Sequence, residues 1–238
     1  DPNMEIIGGG DINIAGTASK ILKVGYSSDA FYIQEWAGVN PETGAPQWYT
    51  TAENGSRVIT DEYAKADRVI CPPSTPKLFG SFNTSLSWRN IDLSAVFGYS
   101  IGGKIYNYSR LEYDSDGAYT DRNQMKLMDG WNRWEKPGDI ATHPVASMDN
   151  KSQSNQASTR FLEDSDYLKL RSLTVGYNIN LPQYHIQNLR VFFSGENLFT
   201  VTGYSGVDPE IPASDNSVIG SAGPSVYPST RKYMFGLN

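Results

Sequence analysis

The most regular stretch of the chain runs from Phe161 to Thr200, FLEDSDYLKLRSLTVGYNINLPQYHIQNLRVFFSGENLFT. Its apolar and polar residues alternate with a period of two, which predicts two long β-strands joined by a short polar connection. In the first strand Tyr167, Lys169, Arg171, Leu173, Val175, Tyr177 and Ile179 share one parity, and Leu168, Leu170, Ser172, Thr174, Gly176 and Asn178 the other. Side chains alternate faces along a strand, so from Leu173 onward one face is aromatic and branched and the other small and polar. The return strand repeats this with Leu189, Val191 and Phe193 against Arg190, Ser194 and Glu196, and Phe192 is an exception. The first strand could run to roughly 13 residues, beyond the usual globular length of about 5–6. Such length suits the ~9–11 tilted residues that cross a bilayer. A barrel wall, apolar toward lipid and wet inside, has this pattern. An ordinary half-buried sheet has it too, and the residues alone leave both readings open.

Residues 80–101, GSFNTSLSWRNIDLSAVFGYSI, predict a second hairpin of the same kind. Phe82, Thr84, Leu86 and Trp88 alternate with small polar residues. After a tight Arg89-Asn90 turn, Ile91, Leu93, Ala95, Phe97, Tyr99 and Ile101 do the same. Asn90 is the residue expected at φ > 0 in that turn. RKYMFGLN at the end predicts a last strand with Tyr233, Phe235 and Leu237 on one face. In Asn40-Pro-Glu-Thr-Gly44, Pro41 presets φ and Gly44 supplies φ > 0, which predicts a turn. Gly8-Gly9-Gly10 reads as a flexible connection, since no helix or P-loop lysine follows at the required spacing. Residues 102–160 form a long connection with a short helix expected between Tyr119 and Lys136, through QMKLMDGW. A second loop spans 201–230.

The motifs just quoted are similar to those of SusC/RagA-type TonB-dependent outer-membrane transporters, in the C-terminal barrel region. The resemblance rests on Leu162, Glu163, Asp164, Tyr167, Leu168, Lys169, Leu170, Leu173, Gly176 and Tyr177. It continues through Leu189, Arg190, Val191, Asn197, Leu198 and Phe199 to Asp208, Pro209 and Glu210. Phe31-Tyr32, Trp36-Ala37-Gly38, Asn40 to Gly44, Asp67 to Ile70, Gly102 to Asn107 and the WNRWEKPGD segment match further family patterns. Cys71 departs from the family, which usually has glycine there, so the backbone at this position is expected not to need φ > 0.

What the resemblance implies is an all-β fold, the C-terminal portion of an antiparallel transmembrane β-barrel. Residues 1–238 would supply roughly seven or eight strands of ~22, with long extracellular loops, while the plug and N-terminal strands lie elsewhere. It further implies the outer membrane of a Gram-negative bacterium as the location. The activity would be import of a large nutrient, a glycan or peptide, with a SusD-like surface lipoprotein. Energy would come from TonB through an N-terminal segment not in this chain. Short turns belong on the periplasmic side, which would place Trp88 at an aromatic girdle there.

Composition changes this picture little. A net charge of −6 offers no basic stripe and excludes nucleic acid as a partner. No 18-residue apolar run exists, which excludes a membrane helix but not a barrel. The single Cys71 has no internal disulfide partner and is expected to be buried. His143 and His185 have no second ligand at metal spacing, and no nucleophile elbow is present, so catalysis is not expected. Glu163, Asp164 and Asp166 read as rim groups or loop anchors rather than a glycosidase pair. Asp114 and Asp116 around Gly117 offer hard oxygens and a weak possibility of calcium, without the later glutamate of an EF-hand loop. Tyr106, Tyr108, Trp131, Trp134 and Tyr204 are the candidates for ligand or partner contact, because aromatic faces stack on sugars and anchor interfaces. Packing is the alternative for each, as it is for Trp36 and Trp48. Two other classes compete: a soluble β-sandwich glycan-binding module, and a secreted β-rich glycoside hydrolase that lacks a defensible acid pair.

Overall fold

The structure is a computed structural model that describes residues 10–14, 19–148, 150–184, 186–210, 221–222 and 229–238, with backbone alone at 184, 186–187 and 221–222. Gly8, Gly9, His185 and much of the 201–230 loop lie outside the described residues. The described residues hold fifteen strands and one six-residue helix, α1 (Tyr108–Tyr113). Among the described residues no helix is long and apolar enough to cross a membrane. The described residues form two compact units: those within 1–75, 104–163 and 212–226 make the first, and those within 76–103, 164–211 and 227–238 the second.

The second unit is a five-stranded antiparallel sheet. Its strands are β1 (Leu78–Trp88), β2 (Ile91–Ile101), β3 (Tyr167–Leu181), β4 (Ile186–Thr202) and β5 (Lys232–Leu237), in the spatial order β5-β4-β3-β2-β1. β1 and β2 have 11 residues each, β3 has 15 and β4 has 17. Among the described residues five strands belong to this sheet, and the other strands are short. Trp88 pairs with Ile91 across the two-residue turn, as expected. The left-handed conformation falls on Arg89 (φ 54), however, and not on Asn90. The β3–β4 turn lies at the same end of the sheet, because Ile91 pairs with Tyr177.

The faces of this sheet are chemically distinct. Cross-strand pairs such as Leu86–Leu93, Leu93–Val175 and Val175–Phe193 place apolar side chains on one face. Phe82 stacks on Phe97 with ring centroids 4.8 Å apart, and Phe193 meets Phe235 at 5.0 Å. Such aromatic pairs are the unit of sheet stabilisation. Yet this face is open: Leu86 is 66% exposed, Trp88 62% and Phe235 81%. The other face carries Ser85, Ser94, Thr174 and Ser194, with Thr174 and Ser194 hydroxyls 3.0 Å apart. Arg190 donates to Asp92 there, and both groups press over Gly176, where a Cβ would meet Asp92 Oδ1 and the Arg190 guanidinium at about 2.5 Å. Phe192, the exception in the alternation, covers Gly236 on this same polar face.

One feature of β3 corrects the parity read from sequence. Leu170 pairs with Phe97 and Ser172 with Val96, so Arg171 is an extra residue, a β-bulge. The bulge switches parity, because the side-chain period is two. Leu168 and Leu170 therefore share the apolar face with Leu173, Val175 and Tyr177. Tyr167 and Lys169 fall on the polar face with Ser172 and Thr174.

The first unit has the interior of an ordinary globular domain. A four-stranded sheet (Ile12–Ile14, Lys20–Leu22, Ala30–Gln34, Arg68–Pro73) and a three-stranded one (Trp36–Val39, Pro46–Thr51, Arg57–Thr60) carry most of its strands. Phe31, Ile33, Cys71, Tyr106 and Phe161 form the buried core. Trp48 is fully buried between the edges of Trp36 and Tyr63. Cys71 sits in a strand without positive φ, as expected, and burial pushes its thiol up to about 11. The Asn40–Gly44 turn forms as read: Gly44 has φ 71 and donates to the Asn40 carbonyl at 2.8 Å. A side chain at Gly44 would also strike the Trp134 ring, 2.4 Å from an ideal Cβ. The helix expected through QMKLMDGW is absent. That segment is irregular, and the helix forms earlier as α1, where the Asn107 side chain accepts from the Arg110 N–H.

Candidate functional site

The long connection between Lys104 and Glu163 is held by buried charge. Asp116, at φ 54, accepts from Arg133 Nη1 at 2.7 Å and from Arg160 Nη1 at 2.6 Å. Asp114 Oδ2 accepts from Arg110 Nη2 at 2.9 Å and from His143 Nε2 at 3.0 Å. Arg110 also reaches Glu163 Oε1 at 3.0 Å and the Arg160 carbonyl at 3.2 Å. Burial opposes ionisation of Asp114, but the His143 hydrogen bond and the Arg160 charge outweigh it and hold its pKa below the ordinary value. Three arginines thus meet three carboxylates in a site largely closed to water. That arrangement fixes the path of an irregular segment, since each backbone turn presents one partner.

This geometry bears on the calcium expectation at Asp114 and Asp116. Three of their four carboxylate oxygens carry cationic partners, so a divalent ion would have to displace guanidinium groups. Among the described residues no cluster of three His, Cys, Asp or Glu side chains has metal-binding geometry.

The aromatic candidates are mostly packed. Tyr106 is fully buried, its ring 5.5 Å from that of Tyr108 and 6.3 Å from that of Phe161. Trp131 lies between His143, at 5.0 Å, and the Arg110 guanidinium, at 4.4 Å. Trp134 donates from Nε1 to the Pro41 carbonyl at 2.8 Å and covers Gly44. Two separated sequence motifs, the Asn40–Gly44 turn and the WNRWEKPGD segment, thereby form one substructure. Tyr204 is buried in the second unit with its ring over Gly206. Tyr204 belongs to the second unit and the other four candidates to the first. Asp166 accepts from the Gly102 N–H at 2.6 Å and Glu163 binds Arg110, so these two of the three suspected carboxylates tie backbone and side chains in place.

Two polar sites go beyond the candidates named from the sequence. In the second unit, Lys169 on the polar face of β3 is almost fully buried between Asp208 (3.1 Å) and Glu210 (2.9 Å). Arg171, the bulged residue, pairs with Glu210 as well, and Tyr167 donates to Glu210 at 3.2 Å. The bulge is what turns Lys169 toward the loop carrying Asp208-Pro209-Glu210. In the first unit, a cavity of about 460 Å³ is bounded by residues as distant in sequence as Ser19, Arg68 and Ala157. The Asp-Pro-Glu motif was a signal for the first of these sites, whereas the cavity has no local signal at all.

No family model matches the chain. The sequence is 29% identical over 237 residues to TonB-dependent receptor P3 of Formosa agariphila, covering 92% of this chain and 23% of that protein. It is 22% identical over 236 residues to TonB-dependent receptor SusC of Bacteroides thetaiotaomicron, covering 96% and 21%. Among solved structures, that of the RagAB peptide transporter superposes with a TM-score of 0.76 at 27% identity, covering 95% of this chain and 24% of that one. The RagAB peptide importer in its open-open state gives the same score at 25% identity, covering 98% and 24%. The chain therefore spans about a quarter or less of the length of the relatives it matches. The likeness extends along almost all of this chain's length, and in sequence and fold it is similar to a segment of the SusC/RagA-type TonB-dependent receptors.

Proposed function

We propose that residues 1–238 are the C-terminal part of a transporter barrel in the outer membrane of a Gram-negative bacterium. The intact protein imports a large nutrient, a glycan or a peptide, delivered through a SusD-like surface lipoprotein, and TonB supplies the energy. Its work is binding and gated passage, with no bond made or broken. The observation that carries this reading is the open apolar face of the β1–β5 sheet. Leu78, Phe82, Leu86, Trp88, Tyr233 and Phe235 all stand exposed on one side of it, which in water is a large unmet hydrophobic cost. In lipid the same face is solvated, while the Ser, Thr and Gly face meets the wet interior. The two short turns at one end of the sheet then face the periplasm, with Trp88 at the interface.

Fractionation tests the location. The protein is expected only in detergent extracts of the outer membrane, with an intact mass several times the 26.3 kDa of this chain. A monodisperse 26.3 kDa species in detergent-free buffer would sink the reading. Deleting the gene tests the activity: growth on one high-molecular-weight nutrient is expected to stop, while growth on its monomer continues.

A further inference from the structure

The cavity of the first unit carries chemistry that transport alone leaves unassigned. Its volume of about 460 Å³ is in the range of small-ligand sites. Gln34 and Arg68 enter its wall from paired strands, Tyr63 from a 3₁₀ turn, and Tyr119, Asn155 and Gln156 from the long connection. The wall contains one guanidinium and, among the described residues, no carboxylate. Arg68 has the Tyr32 ring 5.9 Å away but no carboxylate partner among the described residues. This is the reverse of Arg110, Arg133 and Arg160, each of which has one. Asn155 is 4% exposed, donates to the Tyr119 hydroxyl at 3.3 Å and leaves its Oδ1 without a donor. Buried polar atoms are seldom left so, and the group that relieves this one carries an O–H or N–H. The Tyr63 hydroxyl donates to the Ala157 carbonyl at 2.9 Å, which ties the long connection to the rest of the wall.

We propose that this cavity binds the carboxylate end of a polar ligand. Arg68 pairs with the carboxylate, and Asn155 and Gln156 engage an adjacent hydroxyl or amide. A planar guanidinium matches a carboxylate with two parallel hydrogen bonds, which an uncharged group of the same shape cannot replace. Acidic sugar units and peptide C-termini share this chemistry. The site stands on the geometry of the first unit and does not depend on the transport reading.

The test uses the full-length protein in detergent and titrates four probes by calorimetry: trigalacturonate, trialanine, maltotriose and trialanine amide. Trp48, whose ring is 5.4 Å from that of Tyr63, gives a second readout through its fluorescence. At least one acidic probe is expected to bind roughly tenfold or more tightly than its uncharged counterpart. Arg68→Gln is expected to erase that difference, and Gln156→Ala to weaken binding of the acidic probe. Binding of trigalacturonate alone identifies an acidic sugar, and of trialanine alone a peptide end. Equal binding of charged and uncharged probes, or no binding of any, overturns the proposal. So does an Arg68→Gln protein that unfolds at the wild-type temperature and keeps full selectivity. The wild-type comparison decides the matter even where the variant fails to fold. None of these outcomes touches the membrane location or the growth phenotype, so the two readings fail separately.

Discussion

In the first unit Phe31, Tyr106 and Phe161 are hidden and the charges of Arg160 and Asp116 are hidden with them, paired at 2.6 Å. In the sheet of the second unit the large apolar groups are outside. Leu86 and Phe235 are open on one face while Ser94, Thr174 and Ser194 occupy the other. The two units obey opposite solvation rules. The first gains stability by removing apolar area from water and must then satisfy every polar group it takes along. The second keeps its apolar area outside, which is stable only where the outside is itself apolar, and satisfies its backbone through strand pairing. Both patterns in one chain fit the proposed barrel segment, whose wall and loops meet different solvents.

The largest test of this contrast removes a buried charge from the first unit. Asp116→Asn keeps the shape and tolerates the left-handed backbone, but leaves Arg133 without its carboxylate and Arg160 with only Asp114, 3.7 Å away. A loss of about 3–5 kcal/mol is expected in denaturant unfolding of that unit. Asp121→Asn is the control, since Asp121 is exposed and its ion pair is 3.9 Å long, and no measurable loss is expected there. Equal effects from the two would mean that the network is not the clamp of the long connection.

The next test puts a charge into the wall. Leu86→Arg on the open apolar face is expected to cost up to about 2–4 kcal/mol of stability in bilayers. Ser85→Arg, one residue away on the polar face, should be tolerated. If both are harmless, water and not lipid bathes the Leu86 face.

Cys71 probes the first unit at one point. Its thiol is buried among Phe31 and Tyr106 and is raised to about 11, so little thiolate exists at pH 8. Alkylation of the folded protein is expected to be at least about a hundredfold slower than in denaturant. A rate near that of a free thiol would place Cys71 outside the core.

The smallest expected effect concerns the loop at Asp208 and Glu210. Burial alone would raise both carboxyls. Hydrogen bonds outweigh it, from the Glu210 N–H and Ser229 to Asp208 and from Lys169 to Glu210, and both pKa values fall below the ordinary ones. A depressed carboxyl stabilises fully above its unfolded pKa, about 3.9 for Asp and 4.3 for Glu. That contribution is lost as pH falls through the lower folded value. Amide exchange in residues 203–210 is therefore expected to stay protected at pH 5 and to loosen only below about pH 4. Protection lost already at pH 6 would mean that these ion pairs do not hold the loop.

The amino-acid sequence by itself determined the wall strands, because alternation with a period of two is a local property that a reader of ten residues can see. It also determined the Asn40–Gly44 turn, through the fixed φ of Pro41 and the freedom of Gly44. Burial of Cys71 followed from its lack of a partner. Local pattern failed where tertiary pairing overrode it. The bulge at Arg171 depends on the strands flanking β3, and it alone decides that Lys169 leaves the face of Leu173. The helix moved from QMKLMDGW to Tyr108–Tyr113, where Asn107 caps it and Tyr108 and Leu111 pack against the core that contains Phe31, Tyr106 and Phe161. Arg160 finds Asp116 across 44 residues, and the cavity assembles Gln34 with Gln156. No spacing rule encodes such partners. They form because a buried charge must be paired somewhere, and only the folded chain decides where.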